Sequence, residues 1–237
     1  MTSLAILTGA GMSADSGLST FRDAGGLWEG YDVEEVASIS GWHQNPKKVL
    51  DFYNLRRAHA AEAEPNAGHR ALVDLESCYE VTIITQNVDD LHERAGSTNV
   101  LHLHGELSKA RSVDCPDQVY SIGSAPIFIG DLAEDGAQLR PHIVWFGEGV
   151  PMIEKAAGIV ARTDALIVIG TSLSVYPAAG LVDFTSDVPV FVVDSGAPDV
   201  TDDQWIHYRE SAAVGTPKLV QHLVNRKEQL RKEKQSG

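Results

Sequence analysis

The architecture can be read outward from Leu4-Ala5-Ile6-Leu7-Thr8-Gly9-Ala10-Gly11-Met12-Ser13-Ala14. An apolar run followed at once by the spacing G-x-G-x-x-G/A, with Ala14 in the third small position, describes a buried strand that turns sharply into a helix. Glycines in such a turn let the backbone approach a pyrophosphate, and amides at the helix start offer it donors. A tight strand-to-helix turn needs glycine in any case, so the motif alone leaves a dinucleotide site and plain packing both open.

Further short apolar runs at residues 81–84, 143–145, 166–169 and 190–193 read as buried parallel strands. Helical spacing fills residues 46–62, 67–75, 152–162 and 218–232. That alternation predicts a Rossmann-like α/β fold, a doubly wound parallel sheet with ligands at the carboxyl ends of its strands. Two stretches break the rhythm. Residues 24–64 are long and helix-like, and residues 107–140 are rich in Gly, Pro, Ser and Asp. Both read as insertions that build a second, smaller module. The expected division is 1–23, 65–106 and 141–237 for the sheet domain, and 24–64 with 107–140 for the module.

The 237 residues, 43% hydrophobic and 22% charged, suffice for one sizeable core or a core with a small satellite. A formal charge of -14 opposes sequence-independent attachment to nucleic acid or to an anionic membrane and favours basic partner segments. Residues 225–237 run the other way, with five Lys/Arg and two Asp/Glu, and read as the frayed end of a last helix. Cys78 and Cys115 are too few for a disulfide framework, and no basic region precedes residues 4–7. The longest apolar stretch is far short of the roughly 20 residues a membrane helix needs. A cytoplasmic protein without a membrane span is expected.

After the glycine turn, Ser16-Gly17-Leu18-Ser19-Thr20-Phe21-Arg22-Asp23 suits a flap over a bound cofactor, or a surface loop with Phe21 tucked inward. A dehydrogenase would next show a strand ending in Asp or Glu about 20 residues beyond the glycines. That interval instead holds Gly25, Gly26, Trp28 and Gly30, which weakens hydride transfer. Gln86-Asn87-Val88-Asp89-Asp90 empties from a strand, with amides and carboxylates able to hold a carboxamide and a ribose. Leu101-His102-Leu103-His104-Gly105-Glu106 follows, where a histidine before glycine is either a base on an accessible turn or a satisfied core side chain.

Gly9-Ala10-Gly11-Met12-Ser13 with Phe21-Arg22, Thr85-Gln86-Asn87-Val88-Asp89, His104-Gly105-Glu106-Leu107, Val144-Trp145-Phe146-Gly147-Glu148 and Gly170-Thr171-Ser172 occur in the order found in sirtuins. The chain resembles that family from about residue 4 to residue 217. The resemblance implies NAD as cofactor. Gly9, Ala10, Gly11 and Ser13 would line the pyrophosphate, and Phe21 and Arg22 would lie on the cofactor loop. Gln86 would bond the nicotinamide ribose, Asn87 and Asp89 would hold the carboxamide, and Gly170, Thr171 and Ser172 would hold phosphate and ribose. Ser195 and Ala212 fall near positions that face the adenosine, although Asp194-Ser195 stands where the family usually has Asn. Ser19 stands where many members have proline. His104 would be the general base on a ribose hydroxyl, passing the acyl group of a modified lysine to ADP-ribose. Acylated-lysine segments would bind by strand addition, with Val144, Phe146, Gly147, Glu148 and Val175 as candidates.

Tyr53 and Arg56 stand at i and i+3 of a helix-like stretch and match the Tyr-x-x-Arg pattern of the sirtuin class that accepts malonyl, succinyl or glutaryl lysine. A guanidinium fork and a phenol hydroxyl suit a terminal carboxylate; the same two residues also fit a core tyrosine and a surface ion pair. Sirtuins usually bind a structural zinc through two Cys pairs in the small domain, whereas this chain has only Cys115 there. No structural zinc is expected. Apolar contacts from Val113, Val119, Tyr120, Ile122, Ile127, Phe128, Ile129 and Leu132 would hold the module instead. The leading expectation is an NAD-dependent protein-lysine deacylase, monomeric; the alternatives are ADP-ribosyl transfer or NAD hydrolysis at the same pocket, or a non-catalytic NAD sensor.

Overall fold

The structure is a computed structural model and describes residues 2–18, 27–28, 30–185, 187–196, 202 and 205–236. From the amino end, β1 (Ser3–Thr8) leads into α1 (Gly11–Ala14). β2 (Leu27–Trp28) and β3 (Tyr31–Asp32) pair ahead of α2 (Val33–Val36), α3 (Ile39–Gln44) and α4 (Pro46–Glu62). α5 (Ala67–Leu75), β4 (Glu80–Thr85), α6 (Leu91–Ala95) and β5 (Val100–His102) follow. Next come β6 (Gly105–Ser112), β7 (Val119–Ser121), β8 (Leu139–Ile143), α7 (Ile153–Val160) and β9 (Ala165–Ile169). A 3-10 helix (Ala178–Phe184), β10 (Val190–Val193), β11 (Ile206–Tyr208) and α8 (Ala212–Ser236) complete the chain.

Six parallel strands form the main sheet in the order β11-β10-β9-β1-β4-β5. The runs of β1, β4, β9 and β10 are apolar on both faces because helices cover both. Leu4, Ile6, Ile83, Ile167 and Phe191 pack under α5 and α8, while Ala5, Leu7, Ile84, Leu166 and Val168 pack under α7 and the 3-10 helix. The chain leaves β1 toward β4 and β5, then crosses back to β9. Thr8 therefore stands between Thr85 and Ile169 at the point where strand order reverses, where sheets of this topology open a crevice outside the carboxyl ends of their strands. Asn66 fixes this edge: its side chain caps α5 by accepting from the Gly68 and His69 amides and donates to the Met12 carbonyl at 2.8 Å.

Three differences from the sequence expectation stand out. Residues 143–145 do not join the main sheet: Ile143 ends β8, which runs antiparallel to β6 in a separate sheet ordered β7-β6-β8. An apolar run of three carries no information about its partners, and here both Ile143 and Trp145 are buried in a different core. β5 and β11, three residues each, flank the main sheet where no strand was expected. α8 continues through residue 236, so the basic tail is part of one continuous helix.

The two insertions meet in that separate core. Val36, Trp42, Leu50, Phe52 and Tyr53 pack against Leu107, Ala110, Ile127, Ile143 and Trp145. The apolar list expected to hold the module is half corrected. Ile127 is buried and Val113 and Ile122 pack on this cluster, but Val119, Phe128, Ile129 and Leu132 are exposed. Polar bonds hold their loop instead. The Gln138 side chain accepts from the Gly130 amide and donates to the Phe128 carbonyl, Asp131 accepts from the Phe128 amide, and Ser112 donates to Asp135. Among the described residues, no helix is long and apolar enough to cross a membrane.

Candidate active site

The turns after β1 and β9 lock together. Gly9 N–H donates to the Ile169 carbonyl at 3.0 Å, and Gly11 N–H donates to the Gly170 carbonyl at 2.8 Å. Met12 and Ser13 amides close onto Gly9 and Ala10. Ala10 is then the one residue of 9–13 whose amide has no acceptor among the described residues. A Cβ on Gly9 would lie 2.6 Å from Thr171 Cβ, and one on Gly170, at φ +60°, would lie 2.3 Å from the Met12 nitrogen. This revises the motif's physics. α1 is a single turn of four residues and brings no long dipole, and the glycines serve the contact between two turns. What they leave outward is backbone bare of side chains, with the Ala10 amide as donor, which suits a pyrophosphate.

Beside this turn lies a buried polar set. Ser13 donates to Asp89 Oδ2 at 3.0 Å, Asn87 Nδ2 donates to Ser13 Oγ at 3.0 Å, and the Asn87 amide donates to Thr85 Oγ1 at 3.0 Å. Burial pushes the Asp89 carboxyl up, against the Leu91 amide and the Ser13 hydroxyl, which lower it. Asn87 Oδ1 has no partner among the described residues. Gln86 Nε2 donates to Thr171 Oγ1 at 3.1 Å and so ties the end of β4 to the end of β9 across β1. An amide oxygen without a partner among the described residues and a buried carboxyl thus adjoin the bare turn, and the residues present fit a dinucleotide.

The two histidines of the following segment separate into the two roles left open by sequence. His102 is bonded at both nitrogens, to the Asn87 carbonyl at 3.1 Å and to Glu93 Oε1 at 2.8 Å. Burial works against its charge, but Glu93 raises its pKa overall. Among the described residues, His104 bonds only through Nδ1, 3.0 Å from the Gln86 carbonyl oxygen. A carbonyl can only accept, so Nδ1 carries the proton and Nε2 is a bare acceptor. Burial lowers the His104 pKa, with the Gln86 bond opposing. The half-buried His104 therefore has the form of a base.

Tyr53 and Arg56 lie on α4 as the helical spacing requires, but in different settings. Tyr53 is 1% exposed, inside the module core, and its hydroxyl accepts from the Trp145 indole N–H at 3.0 Å. Arg56 is half-buried with its guanidinium 5.8 Å from the Phe52 ring centroid. Its charge lowers both the Tyr53 and the Asp89 pKa, within the larger opposing effect of burial on each.

The segment of residues 144–148 is more engaged than strand addition requires. The Val144 amide donates to the His104 carbonyl, while the Phe146 amide donates to Ala37 and its carbonyl accepts from Ile39. Glu148 is an internal clamp: it accepts from Arg140 at 2.7 Å, Arg111 at 3.1 Å and the Trp145 amide at 2.8 Å, which together hold its carboxyl low against burial. Its side chain is thus occupied before any peptide arrives. Gly147, at φ +91°, keeps an amide without an acceptor among the described residues. Trp145, between these candidates, was not singled out from sequence; an isolated indole in an apolar run carries no mark that separates it from core.

Ser172 pairs with Ser174 at 2.6 Å, and the Val175 carbonyl accepts from Ala179 as the 3-10 helix begins. Ser195 is exposed just beyond β10, and Ala212 is buried at the start of α8. Phe21 and Arg22 lie outside the described residues. Among the described residues no group of three or more His, Cys, Asp or Glu is gathered that could hold a metal ion. Cys78 and Cys115 are free thiols.

Strand order, crevice and polar lining define a protein of the dinucleotide-binding α/β class. The Sir2 family profile matches residues 9–177. An NAD-dependent protein deacylase of Helicobacter pylori strain J99 is 57% identical over 198 residues, spanning 83% of this chain and 84% of its own. One of the same name from Bacteroides thetaiotaomicron is 49% identical over 231 residues, spanning 94% and 99%. Among solved structures, a Sir2 homolog–NAD complex superposes with a TM-score of 0.85 at 39% identity, covering 94% of this chain and 90% of that one. A Sir2–p53 peptide–NAD+ complex gives 0.76 at 30%, covering 94% and 92%. The chain belongs to the Sir2 family.

Proposed function

We propose that this protein is an NAD-dependent protein-lysine deacylase that removes acetyl and also succinyl or malonyl groups, yielding nicotinamide, O-acyl-ADP-ribose and free lysine. The observation that carries the reading is His104, with Nδ1 held by the Gln86 carbonyl and Nε2 without a partner among the described residues, next to the buried Asn87–Ser13–Asp89 set. NAD, when bound, supplies a ribose carbon from which nicotinamide can leave and ribose hydroxyls that can accept an acyl group. Asn87 and Asp89 orient the carboxamide, with Asn87 Oδ1 as acceptor for its N–H, and their burial keeps water from the reacting bond. Gln86, steadied by Thr171, bonds the ribose, and Gly9, Ala10, Gly11, Ser13, Gly170, Thr171 and Ser172 line the remainder, with Ser195 and Ala212 on the adenosine side. His104 Nε2 takes a proton from a ribose hydroxyl, and the lowered His104 pKa keeps it in the accepting form at neutral pH.

Tyr53 and Arg56 form the clamp for an acyl carboxylate. Support comes from the charge of Arg56, felt by both the Tyr53 hydroxyl and the Asp89 carboxyl. The peptide main chain bonds Gly147 and the Val175 segment, with Val144 and Phe146 beneath it as support and the Glu148 side chain bracing the turn. On this reading residues 1–23, 65–106 and 141–237 bind NAD, while 24–64 and 107–140 form the module that carries the acyl clamp. The protein acts as a zinc-free cytoplasmic monomer.

Mass spectrometry of the protein incubated with NAD and one lysine peptide in acetylated, succinylated and unmodified forms tests the reading. O-acetyl- and O-succinyl-ADP-ribose with free lysine are expected. ADP-ribose alone, or attached to protein, with the acyl groups left in place would refute it.

A further inference from the structure

We infer that Trp145 is a positioning residue for acyl selection: its indole N–H occupies the acceptor side of the Tyr53 hydroxyl and turns the Tyr53 proton toward a substrate carboxylate. This rests on the acidic-acyl reading of Tyr53 and Arg56. The Trp145 Nε1 to Tyr53 oxygen distance is 3.0 Å, and among the described residues the Tyr53 proton itself has no acceptor. A phenol O–H prefers the ring plane and has two orientations there. An N–H donor on one side repels the proton and leaves the other orientation. A buried hydroxyl that accepts one bond and donates none is costly unless something supplies the acceptor. Burial also raises the Tyr53 pKa to about 12, so the proton stays on the oxygen throughout the working pH range.

Trp145 can aim this bond because it is itself immobilised from three sides. The Arg140 guanidinium carbon lies 3.3 Å from its ring centroid, the Trp42 ring centroid lies 5.4 Å away, and its backbone amide donates to Glu148. Glu148 is in turn fixed by Arg140 and Arg111, so the chain of contacts runs from the β6–β8 sheet to the acyl clamp on α4. Indole stacking under a guanidinium and a carboxylate bonded by two arginines leave this group little freedom to turn. The neighbours therefore determine where the N–H points, and the N–H determines where the Tyr53 proton points.

The test is a double-mutant cycle read as the ratio of kcat/KM for succinylated over acetylated peptide. Trp145→Phe keeps a ring in place and removes the donor; it is expected to lower the ratio about tenfold, mainly through a higher KM for the succinylated peptide, as loss of one hydrogen bond to a charged-group clamp implies. In a Tyr53→Phe background the same change is expected to move the ratio less than about twofold, since no hydroxyl remains to aim. An independent readout needs no variant enzyme. The Trp145 indole N–H proton resonance of the wild type is expected to move downfield when a succinylated peptide binds and to stay in place with the acetylated one, because donation from Tyr53 strengthens its acceptance. An equal loss in both backgrounds, or an indole resonance indifferent to the acyl group, overturns the inference. A wild type that removes acetyl but never succinyl overturns the acidic-acyl reading and this inference with it. A wild type that removes succinyl with a ratio indifferent to Trp145 overturns this inference alone.

Discussion

His104 Nδ1 and the Gln86 carbonyl oxygen lie 3.0 Å apart, so the residue that links β4 to Thr171 also fixes which nitrogen of the histidine is free. Replacing His104 by Ala is expected to lower kcat at least 100-fold, as loss of a general base does, while the Kd for ADP-ribose measured by calorimetry changes less than about twofold. Because burial lowers the His104 pKa, the acid limb of the wild-type kcat/KM profile should fall below the ordinary histidine value of 6.5. A limb above that value would contradict the assignment.

Arg56→Met removes the charge of the proposed acyl clamp and keeps a long apolar stem. The succinyl-to-acetyl ratio of kcat/KM is expected to drop about 10-fold to 100-fold, the worth of a charge-assisted bond to a carboxylate. Steady-state assays with matched peptides measure it. An unchanged ratio would assign Arg56 to the surface-pair role that its sequence position also allowed.

Glu148→Ala distinguishes a clamp from a peptide contact. Arg140 is 5% and Arg111 11% exposed at the side chain, and removing their shared carboxylate leaves both cations in a largely buried site. A loss of about 3 kcal/mol is expected, seen as a fall of roughly 6–12 °C in Tm. A variant with wild-type Tm and only a raised peptide KM would restore Glu148 to the substrate side.

His69 of α5 and His92 of α6 are buried with ring centroids 4.8 Å apart and ring planes tilted by 60°, and burial lowers both pKa values, that of His69 to about 4. A histidine whose folded pKa lies below 6.5 contributes stability that is complete above pH 6.5. That stability is lost as pH falls toward the folded value, because the unfolded chain takes up a proton the folded one refuses. The unfolding free energy from urea titrations should decline between pH 6.5 and about 4, by on the order of 3 kcal/mol from His69 alone. His69→Gln, which retains a partner for the Asn66 amide at the start of α5, should flatten that decline.

Legibility from sequence followed length and redundancy of pattern. β1, β9 and β10 were readable because each is an apolar run with a sheet neighbour on either side, and α4 and α5 because helical spacing runs unbroken through residues 46–62 and 67–75. β5 and β11 were not readable, since three residues hold no period. The antiparallel sheet of the module was hidden because Ile143 and its neighbours look like any buried strand, while their partner is set by the long return from β6. Within the site, residues whose proposed role needs a particular side chain, such as Asn87, Asp89 and His104, stood out. The occupied backbone of Phe146 and the clamp at Glu148 did not, because each depends on a residue distant in the chain: Ala37 and Arg111.

The closed hydrogen bonds between the turns after β1 and β9 bear on how ligands are ranked. Gly9 and Gly11 are held through Ile169 and Gly170 by hydrogen bonds supplied within the protein itself. Ligand association at that end of the crevice therefore freezes little protein motion and carries a small entropic penalty. Ligands sharing one pyrophosphate should differ in affinity chiefly through what they present to Asn87 and Asp89 at the other end.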